Sequence, residues 1–152
     1  MMNWVCLTFP QLSTEQLYEL LKLRVDVFVV EQTCPYAELD NKDRAEGTYH
    51  LLGYQHGRLV AYSRLLSSGT SYNNVSFGRV AIELSSRGCG LGQELISTAL
   101  SYCQQLWPNQ DIDIGAQEYL RAFYEGYGFK AISEVYLEDD IPHLDMRISK
   151  LC

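Results

Sequence analysis

Three glycines at alternate positions, Gly88, Gly90 and Gly92, follow a strand-like run that ends at Ile82 and lie at the start of a helix-like run that begins at Leu91. The first turn of a helix leaves backbone N–H groups unpaired at the positive end of the helix dipole. A glycine has no Cβ to keep an anion away from those groups. The pattern therefore predicts either an anion site or only a tight turn that lets the helix pack closely on the strand.

The residue before this run, Arg87, adds a positive charge and favours the anion site. Two familiar glycine-rich sites do not fit. A P-loop requires Gly-Lys-Ser/Thr, whereas Gly92 is followed by Gln93 and Glu94. A dinucleotide fingerprint belongs in the first strand–helix unit, whereas this run follows the fourth predicted strand.

The hydrophobic period switches between two and 3.6 residues along the chain, which indicates an α/β fold. A first strand is predicted over residues 5–9, and Ser13 with Gln16 forms a capping box for a helix that continues to about Val30. Strands are predicted over residues 49–55, 58–66 and 75–82 as an antiparallel meander. A helix over 91–106, a strand over 112–116, a helix over 118–127 and strands over 129–136 and 143–148 complete the order β-α-β-β-β-α-β-α-β-β.

Length and composition limit the classes of function. A chain of 152 residues with 47% hydrophobic content is sufficient for one domain spanning residues 1–152. The net charge of −7 argues against a nucleic-acid partner and favours a cationic or neutral substrate. No window approaches the roughly 18 apolar residues of a membrane span, and the first residues lack a signal-peptide pattern, so a cytoplasmic protein without a membrane partner is expected. Five scattered cysteines show no metal-ligand spacing and are interpreted as reduced thiols: Cys6, Cys34, Cys89, Cys103 and Cys152.

Two segments resemble the GNAT superfamily of N-acetyltransferases. Residues 87–92, Arg-Gly-Cys-Gly-Leu-Gly, match the family's Arg/Gln-x-x-Gly-x-Gly/Ala signature, and residues 123–129 are similar to its FYxxxGF segment. The resemblance is closest to the ElaA-like branch, and its residues run nearly end to end: Arg24, residues 27–32, 34–36, 78–80 and 141–143. It implies the acyl-CoA N-acyltransferase fold, a mixed and largely antiparallel central sheet with helices on both faces.

The resemblance further implies acetyl-CoA as co-substrate and no metal. The pyrophosphate would lie on the backbone N–H groups of the glycine run, and the pantetheine arm would pair with the preceding strand. An N–H near Val80 would polarise the thioester carbonyl. The implied cofactor-binding residues are Val80, Ala81, Ile82, Arg87, Gly88, Cys89, Gly90, Leu91, Gly92, Gln117 and Tyr124. Although Cys89 lies at the start of a helix, direct transfer from the thioester is expected rather than an acyl-cysteine intermediate.

Tyr124 matches the family's general acid, which protonates the departing thiolate. The general base that deprotonates the amine is left open between Glu31, His50 and His143, with Asp40 and Glu118 as further carboxylate candidates. Arg24, Phe28, Arg64 and Arg79 are candidate substrate ligands, and the two arginines Arg24 and Arg64 could equally be ion-paired structural residues. The loop around Asp40 and Asp43 is expected to be a solvated turn.

The acceptor expected from this resemblance is a primary amine on a small molecule, peptide or protein, and the protein is expected to be a monomer or homodimer. Two alternatives remain. Arg24-x-x-x-Phe28 with Glu38-x-Asp40-x-x-Asp43 is similar to acyl-homoserine-lactone synthases, which use S-adenosylmethionine. The second alternative is a non-catalytic CoA-binding module, because a fold does not fix a function.

Overall fold

A computed structural model of the protein describes residues 1–149. Eight strands and three α-helices follow one another in the order β1 (Met2–Thr8), α1 (Thr14–Arg24), β2 (Thr48–Gln55), β3 (Arg58–Leu66), β4 (Ser76–Ile82), α2 (Leu91–Leu106), β5 (Ile112–Gln117), α3 (Arg121–Glu125), β6 (Lys130–Ala131), β7 (Tyr136–Glu138) and β8 (Ile141–Ile148). The α/β order predicted from the periodicity is confirmed, with one strand more than expected near the C-terminus.

The strands form two four-stranded antiparallel sheets. One has the order β1-β2-β3-β4, and in the other β8 lies between β5 on one side and the short strands β6 and β7 on the other. The two sheets meet at a single parallel bridge between Val75 and Ile112, where the Asp113 amide donates to the Val75 carbonyl at 2.8 Å. Beyond this bridge β4 and β5 diverge, so both strands present an unpaired edge.

Helices cover both faces of the first sheet, as predicted. On one face α1 packs Leu20 and Leu23 against Leu52 and Tyr62. On the other face α2 contributes an apolar stripe that packs against β3, β4, β5 and β8; its members are Leu91, Leu95, Ile96, Ala99 and Cys103. This stripe follows the 3.6-residue period that predicted the helix.

The first helix begins at the predicted capping box: the Gln16 amide donates to the Ser13 hydroxyl at 3.1 Å, and the Ser13 amide donates to the Gln16 side chain at 2.9 Å. The helical path continues to Glu31, close to the expected end. Its last two turns, Val25–Glu31, are π-helical, a rare form that is frequent at functional sites.

The strand predicted over residues 129–136 is wrong as a continuous element, because it is interrupted between β6 and β7. The Ser133 hydroxyl accepts a hydrogen bond from the Asp145 amide of β8 at 2.9 Å, and the Ile132 amide donates to the Asp145 carbonyl at 2.9 Å. A side chain thus takes the place of a backbone partner and bends the strand. Cys6, Cys34, Cys89 and Cys103 are free thiols, as predicted, and Cys152 lies outside the described residues.

Candidate active site

The diverging edges of β4 and β5 enclose an open cleft of about 800 Å³. One wall is formed by residues of β4 and the facing wall by residues of β5, including Ile114, Gly115 and Gln117. The π-helical segment contributes Phe28 and Glu31, and α3 contributes Tyr124. The cleft therefore combines unpaired backbone groups with side chains from four separate parts of the chain.

The glycine run borders this cleft, which is lined by its last member, Gly92. Gly88 and Gly90 adopt φ values of +90° and +80°, which only glycine takes without strain, and Gly90 is the N-cap of α2. A Cβ built on either residue would meet no atom within 4 Å, so the space above both is open. Gly92 lines the cleft directly. The local geometry fits an anion at the first turn of α2.

Arg87 is held by two partners within the protein. Its guanidinium donates to the Glu31 carboxylate at 2.6 and 2.8 Å and to the Ile82 carbonyl at 2.8 and 3.0 Å. The hydrogen bond from Arg87 lowers the pKa of Glu31. The arginine therefore ties the glycine run to the end of β4 and to the π-helical segment.

A β-bulge interrupts β4 in the middle of the cleft wall. Tyr62 pairs with Ala81 and Arg64 pairs with Gly78, so Arg79 and Val80 together face the single residue Ser63. Arg79 has a φ of +48°, an unusual value for a side chain of this size. The bulge turns the backbone of β4 away from regular pairing where Val80 lines the cleft.

Tyr124 lies on α3 at the cleft and is 6% exposed. Its ring packs edge-on against Phe129 and Phe123, the two phenylalanines of the same sequence segment. Burial raises the pKa of Tyr124 to about 12, so the phenol stays protonated at neutral pH. The side chain is a hydrogen-bond donor available to whatever occupies the cleft.

Charged residues beside the cleft form a buried network, and the expectation of a solvated turn at Asp43 is wrong. Arg24 is fully buried and donates to Glu38 at 2.5 Å and to Asp43 at 2.6 Å. Arg64 donates to Asp40 at 2.8 and 2.9 Å. Because burying a charge is costly without a partner, these arginines and carboxylates neutralise one another.

Arg79 joins the same network from the bulge, with donors to Glu38 at 3.0 Å and to Asp40 at 3.4 Å. Among the candidate substrate ligands, Phe28, Arg64 and Arg79 line the cleft, whereas Arg24 lies behind it. Arg24 is ion-paired and fully buried, which favours the second of the two interpretations open to it.

The candidate bases occupy different environments. His50 is fully buried away from the cleft, and both ring nitrogens are engaged: Nε2 donates to the Asp43 carbonyl at 3.0 Å, which leaves Nδ1 to accept from the Tyr62 hydroxyl at 2.6 Å. Burial lowers the pKa of His50. Glu31 is engaged by Arg87.

His143 lines the cleft on β8, opposite Gln117 of β5. Its Nδ1 donates to the Ile141 carbonyl at 2.7 Å, since a carbonyl can only accept. The neutral ring therefore keeps the lone pair on Nε2, which lies 3.5 Å from the Glu138 carboxylate. This arrangement is that of a proton acceptor with an acidic neighbour.

Within residues 1–149, no helix has both the length and the apolar character that a membrane crossing requires. The same part of the chain contains no group of three or more His, Cys, Asp or Glu side chains that could hold a metal ion.

Comparison with known proteins identifies the family. The sequence model described as "Acetyltransferase (GNAT) domain" matches residues 10–150. Protein ElaA of Escherichia coli is 44% identical over 146 residues, which cover 96% of this chain and 95% of that protein. The chain belongs to the GNAT superfamily, in its ElaA-like branch. The resemblance found in the sequence is confirmed, and with it the acyltransferase character of the domain.

Solved structures confirm the GNAT fold. An acyl-CoA N-acyltransferase from Pseudomonas aeruginosa superposes with a TM-score of 0.94 at 44% identity, covering 98% of this chain and 100% of that one. A CoA-dependent acyl-homoserine lactone synthase superposes with a TM-score of 0.76, covering 99% of this chain and 83% of that one, at only 17% identity. The second likeness is one of fold alone.

Two features of this GNAT cleft could not be read from the sequence. The ion pair of Glu31 with Arg87 joins residues 56 positions apart, and neither lies in a pattern that points to the other. A cluster of Tyr72, Tyr136 and Asp145 could not be predicted either, because Tyr72 belongs to a loop without periodicity.

Proposed function

We propose that this GNAT protein transfers the acetyl group of acetyl-CoA directly to a primary amine. The observation that carries the proposal is the cleft between β4 and β5, which is lined by Gly92 at the first turn of α2 and by the buried Tyr124. An extended ligand with an anion at one end fits such a cleft, because backbone edges bind an extended chain as an added strand and the helix N-terminus binds the anion.

The cofactor's pyrophosphate would lie on the N–H groups of residues 88–92 and its pantetheine arm along β4. Val80 and Ile82 line the cleft on this path, as does Gln117 on the facing strand. The side chains of Ala81 and Leu91 are buried in the core, so these residues would contribute backbone only. An N–H at the bulge near Val80 would polarise the thioester carbonyl.

Attack by the amine nitrogen on the thioester carbon forms the amide bond as the carbon–sulfur bond breaks. Tyr124 would stabilise the departing thiolate. With the pKa of Tyr124 at about 12 and that of a thiol near 8.5, full proton transfer from the phenol costs about 5 kcal/mol. We therefore assign Tyr124 the role of a hydrogen-bond donor to the thiolate as negative charge develops on the sulfur.

We assign the general base to His143. It lines the cleft, no hydrogen-bond donor from residues 1–149 engages its Nε2 lone pair, and Glu138 is placed to stabilise the protonated ring. His50 has no free ring nitrogen, and Glu31 is a weaker base because its ion pair with Arg87 lowers its pKa. The amine would lose its proton to Nε2, directly or through water.

The test is thermal unfolding with and without acetyl-CoA. A ligand at about 100 times its dissociation constant adds roughly 2.7 kcal/mol to the native state. Gly90→Glu should abolish the upward shift in Tm, because it places a carboxylate at the anion site. Gly57→Glu is the matched control: Gly57 has a φ of +76° and equally open surroundings, but lies in the β2–β3 turn.

A shift that survives in Gly57→Glu and disappears in Gly90→Glu supports the cofactor site. A shift that persists in Gly90→Glu, or none in the native protein, contradicts it. Turnover then separates an enzyme from a non-catalytic CoA-binding module: release of free CoA that depends on an added amine supports transfer. The interpretation as a lactone synthase gains nothing from Arg24 and Asp43, which pair with each other.

A further inference from the structure

A carboxylate held by two phenols lies against one wall of the cleft. The Tyr136 hydroxyl donates to Asp145 Oδ1 at 2.6 Å, and the Tyr72 hydroxyl donates to the same oxygen at 3.1 Å. Asp145 is on β8 and faces Gly115 of β5 in the strand register. We call Tyr72, Tyr136 and Asp145 the Asp145 niche.

Within residues 1–149 the Asp145 carboxylate has no cationic partner, unlike several buried carboxylates. Asp113, two residues before Gly115 on β5, is paired with Arg147 at 2.7 Å. Glu38 and Asp43 are paired with arginines of the buried network. No Lys, Arg or His nitrogen within residues 1–149 lies within 4 Å of the Asp145 carboxylate. A half-buried negative charge with only neutral donors attracts a cation.

Gly115 gives the niche access to the cleft. A Cβ on this residue would lie 2.7 Å from the Tyr72 hydroxyl, 3.3 Å from the Tyr136 hydroxyl and 3.8 Å from Asp145 Oδ1. All three oxygens therefore converge above an exposed glycine. Tyr72 and Gly115 also line the cleft, so this convergence is on its wall.

The chemistry of the niche is that of an ammonium acceptor. Each phenol gives its single proton to Asp145, and its oxygen keeps lone pairs that can accept from an N–H donor. The carboxylate behind the two oxygens adds a long-range attraction for positive charge. A neutral alcohol would gain the hydrogen bonds without the attraction, and an acceptor's own carboxylate would be repelled.

We propose that the Asp145 niche binds the acceptor as a protonated primary amine, and this rests on the proposed function. The site selects alkylammonium groups over alcohols before the proton is removed. His143 lies two residues before Asp145 on the same face of β8, and its ring stacks on Tyr136 with centroids 6.2 Å apart. The bound ammonium would therefore lie beside the base.

The experiment uses n-butylammonium as the ligand and n-butanol as its neutral counterpart. Each is titrated into ¹⁵N-labelled protein saturated with CoA, which has no acetyl group to transfer, and the amide signal of Gly115 is followed. We expect a saturable shift with n-butylammonium and binding at least about tenfold weaker for n-butanol, since a hydrogen bond to a charged group is the stronger one.

Asp145→Asn should weaken n-butylammonium binding about tenfold or more and leave n-butanol unchanged. Asp113→Asn is the matched control. It also removes a carboxylate, but one on the neighbouring strand β5 whose charge is already neutralised by Arg147. Gly115→Ala gives a second test: its methyl group would collide with the Tyr72 hydroxyl and should weaken n-butylammonium binding as well.

Equal binding of n-butylammonium by the native protein and Asp145→Asn would overturn the proposal, as would equal binding of n-butanol by the native protein. The Tm shift with acetyl-CoA, measured on every variant, shows which of them are folded. If that shift is absent from the native protein, the proposed function fails, whereas the same titration without CoA still tests the niche.

Discussion

Glu31 engages both terminal nitrogens of Arg87, at 2.6 and 2.8 Å, at the place where the cofactor's phosphates would bind. A carboxylate there competes with phosphate for the same arginine. Arg87 also donates to the Ile82 carbonyl, so it stays beside the glycine run even when its ion pair with Glu31 is broken. The pair connects the cofactor end of the cleft with the π-helical segment that carries Phe28.

Glu31→Gln should tighten CoA binding about two- to tenfold, because the substitution removes a negative charge next to the anion site. The measurement is the Kd of CoA by calorimetry at low and high salt, and the gain should shrink as salt rises. Asp26→Asn is the control, since it makes the same charge change in the same segment on a residue paired with Lys22. Weaker binding by Glu31→Gln would show that Glu31 instead positions Arg87 for the cofactor.

Tyr124→Phe should lower kcat about 10²- to 10³-fold and leave the Kd of CoA nearly unchanged, because the hydroxyl acts only on the departing thiolate. The comparison is Tyr127→Phe, which removes a hydroxyl of the same segment that donates to the Gln93 carbonyl. If both variants lose activity equally, the effect is one of packing rather than of a donor at the sulfur.

His143→Gln should reduce kcat about 10²-fold or more at constant CoA affinity, since the amine then lacks its proton acceptor. Added imidazole should restore part of the activity of His143→Gly, which a purely structural role would not permit. His56→Gln, in the exposed β2–β3 turn, provides the reference. Full activity in His143→Gln would remove this residue from the mechanism.

The free energy of unfolding should fall as the pH is lowered from about 4 to about 2. Burial disfavours the charged form of Asp40, but its hydrogen bonds from Arg64 outweigh this and lower its pKa to about 2. Its ordinary value is 3.8, so the stabilisation is complete above that pH and is lost as the pH falls through 2. The free energy of unfolding lost in this way is about 2 kcal/mol.

Urea unfolding over this pH range measures the effect. Asp40→Asn should remove that part of the pH dependence, whereas Asp139→Asn, in the exposed β7–β8 turn, should not. An unchanged pH profile in Asp40→Asn would show that the acid sensitivity arises elsewhere in the network.

Cys89 should react with iodoacetamide in the native protein, while Cys6 and Cys103 should not. Cys89 is exposed beside the glycine run. Burial raises the pKa of Cys6 to about 11 and that of Cys103 to about 12, so neither provides a thiolate. Mass spectrometry of the labelled peptides measures the extent of labelling at each cysteine. Acetyl-CoA should slow the labelling of Cys89, and an unchanged rate would place the cofactor elsewhere.

The sequence predicted the fold closely where structure depends on local pattern. The capping box at Ser13, the apolar stripe of α2 and the glycines with positive φ each reflect neighbouring residues, and all appear as expected. The two matched family segments also brought Tyr124 and the glycine run to one cleft.

Features that depend on long-range pairs could not be predicted in this way. Asp43 is in a charged loop that looks solvated, yet Arg24 and Arg64 reach it from α1 and β3 and make it a buried residue. The bulge at Arg79 arises from the offset between two strands, and its positive φ is on the arginine rather than on the preceding Gly78. The choice between His50 and His143 likewise depends on which one faces the cleft.

The facing walls of the cleft are strand edges, and this affects how such a chain can change over generations. Backbone amides and carbonyls keep their positions under most side-chain substitutions, so mutations along β4 and β5 leave these edges largely unaltered. Cleft-lining side chains outside these two edges, such as Tyr72 and His143, can each be changed by a single substitution. On the proposed function, divergence between related chains should therefore accumulate at the side chains that would contact the acceptor, so that relatives with the same architecture would act on different amines.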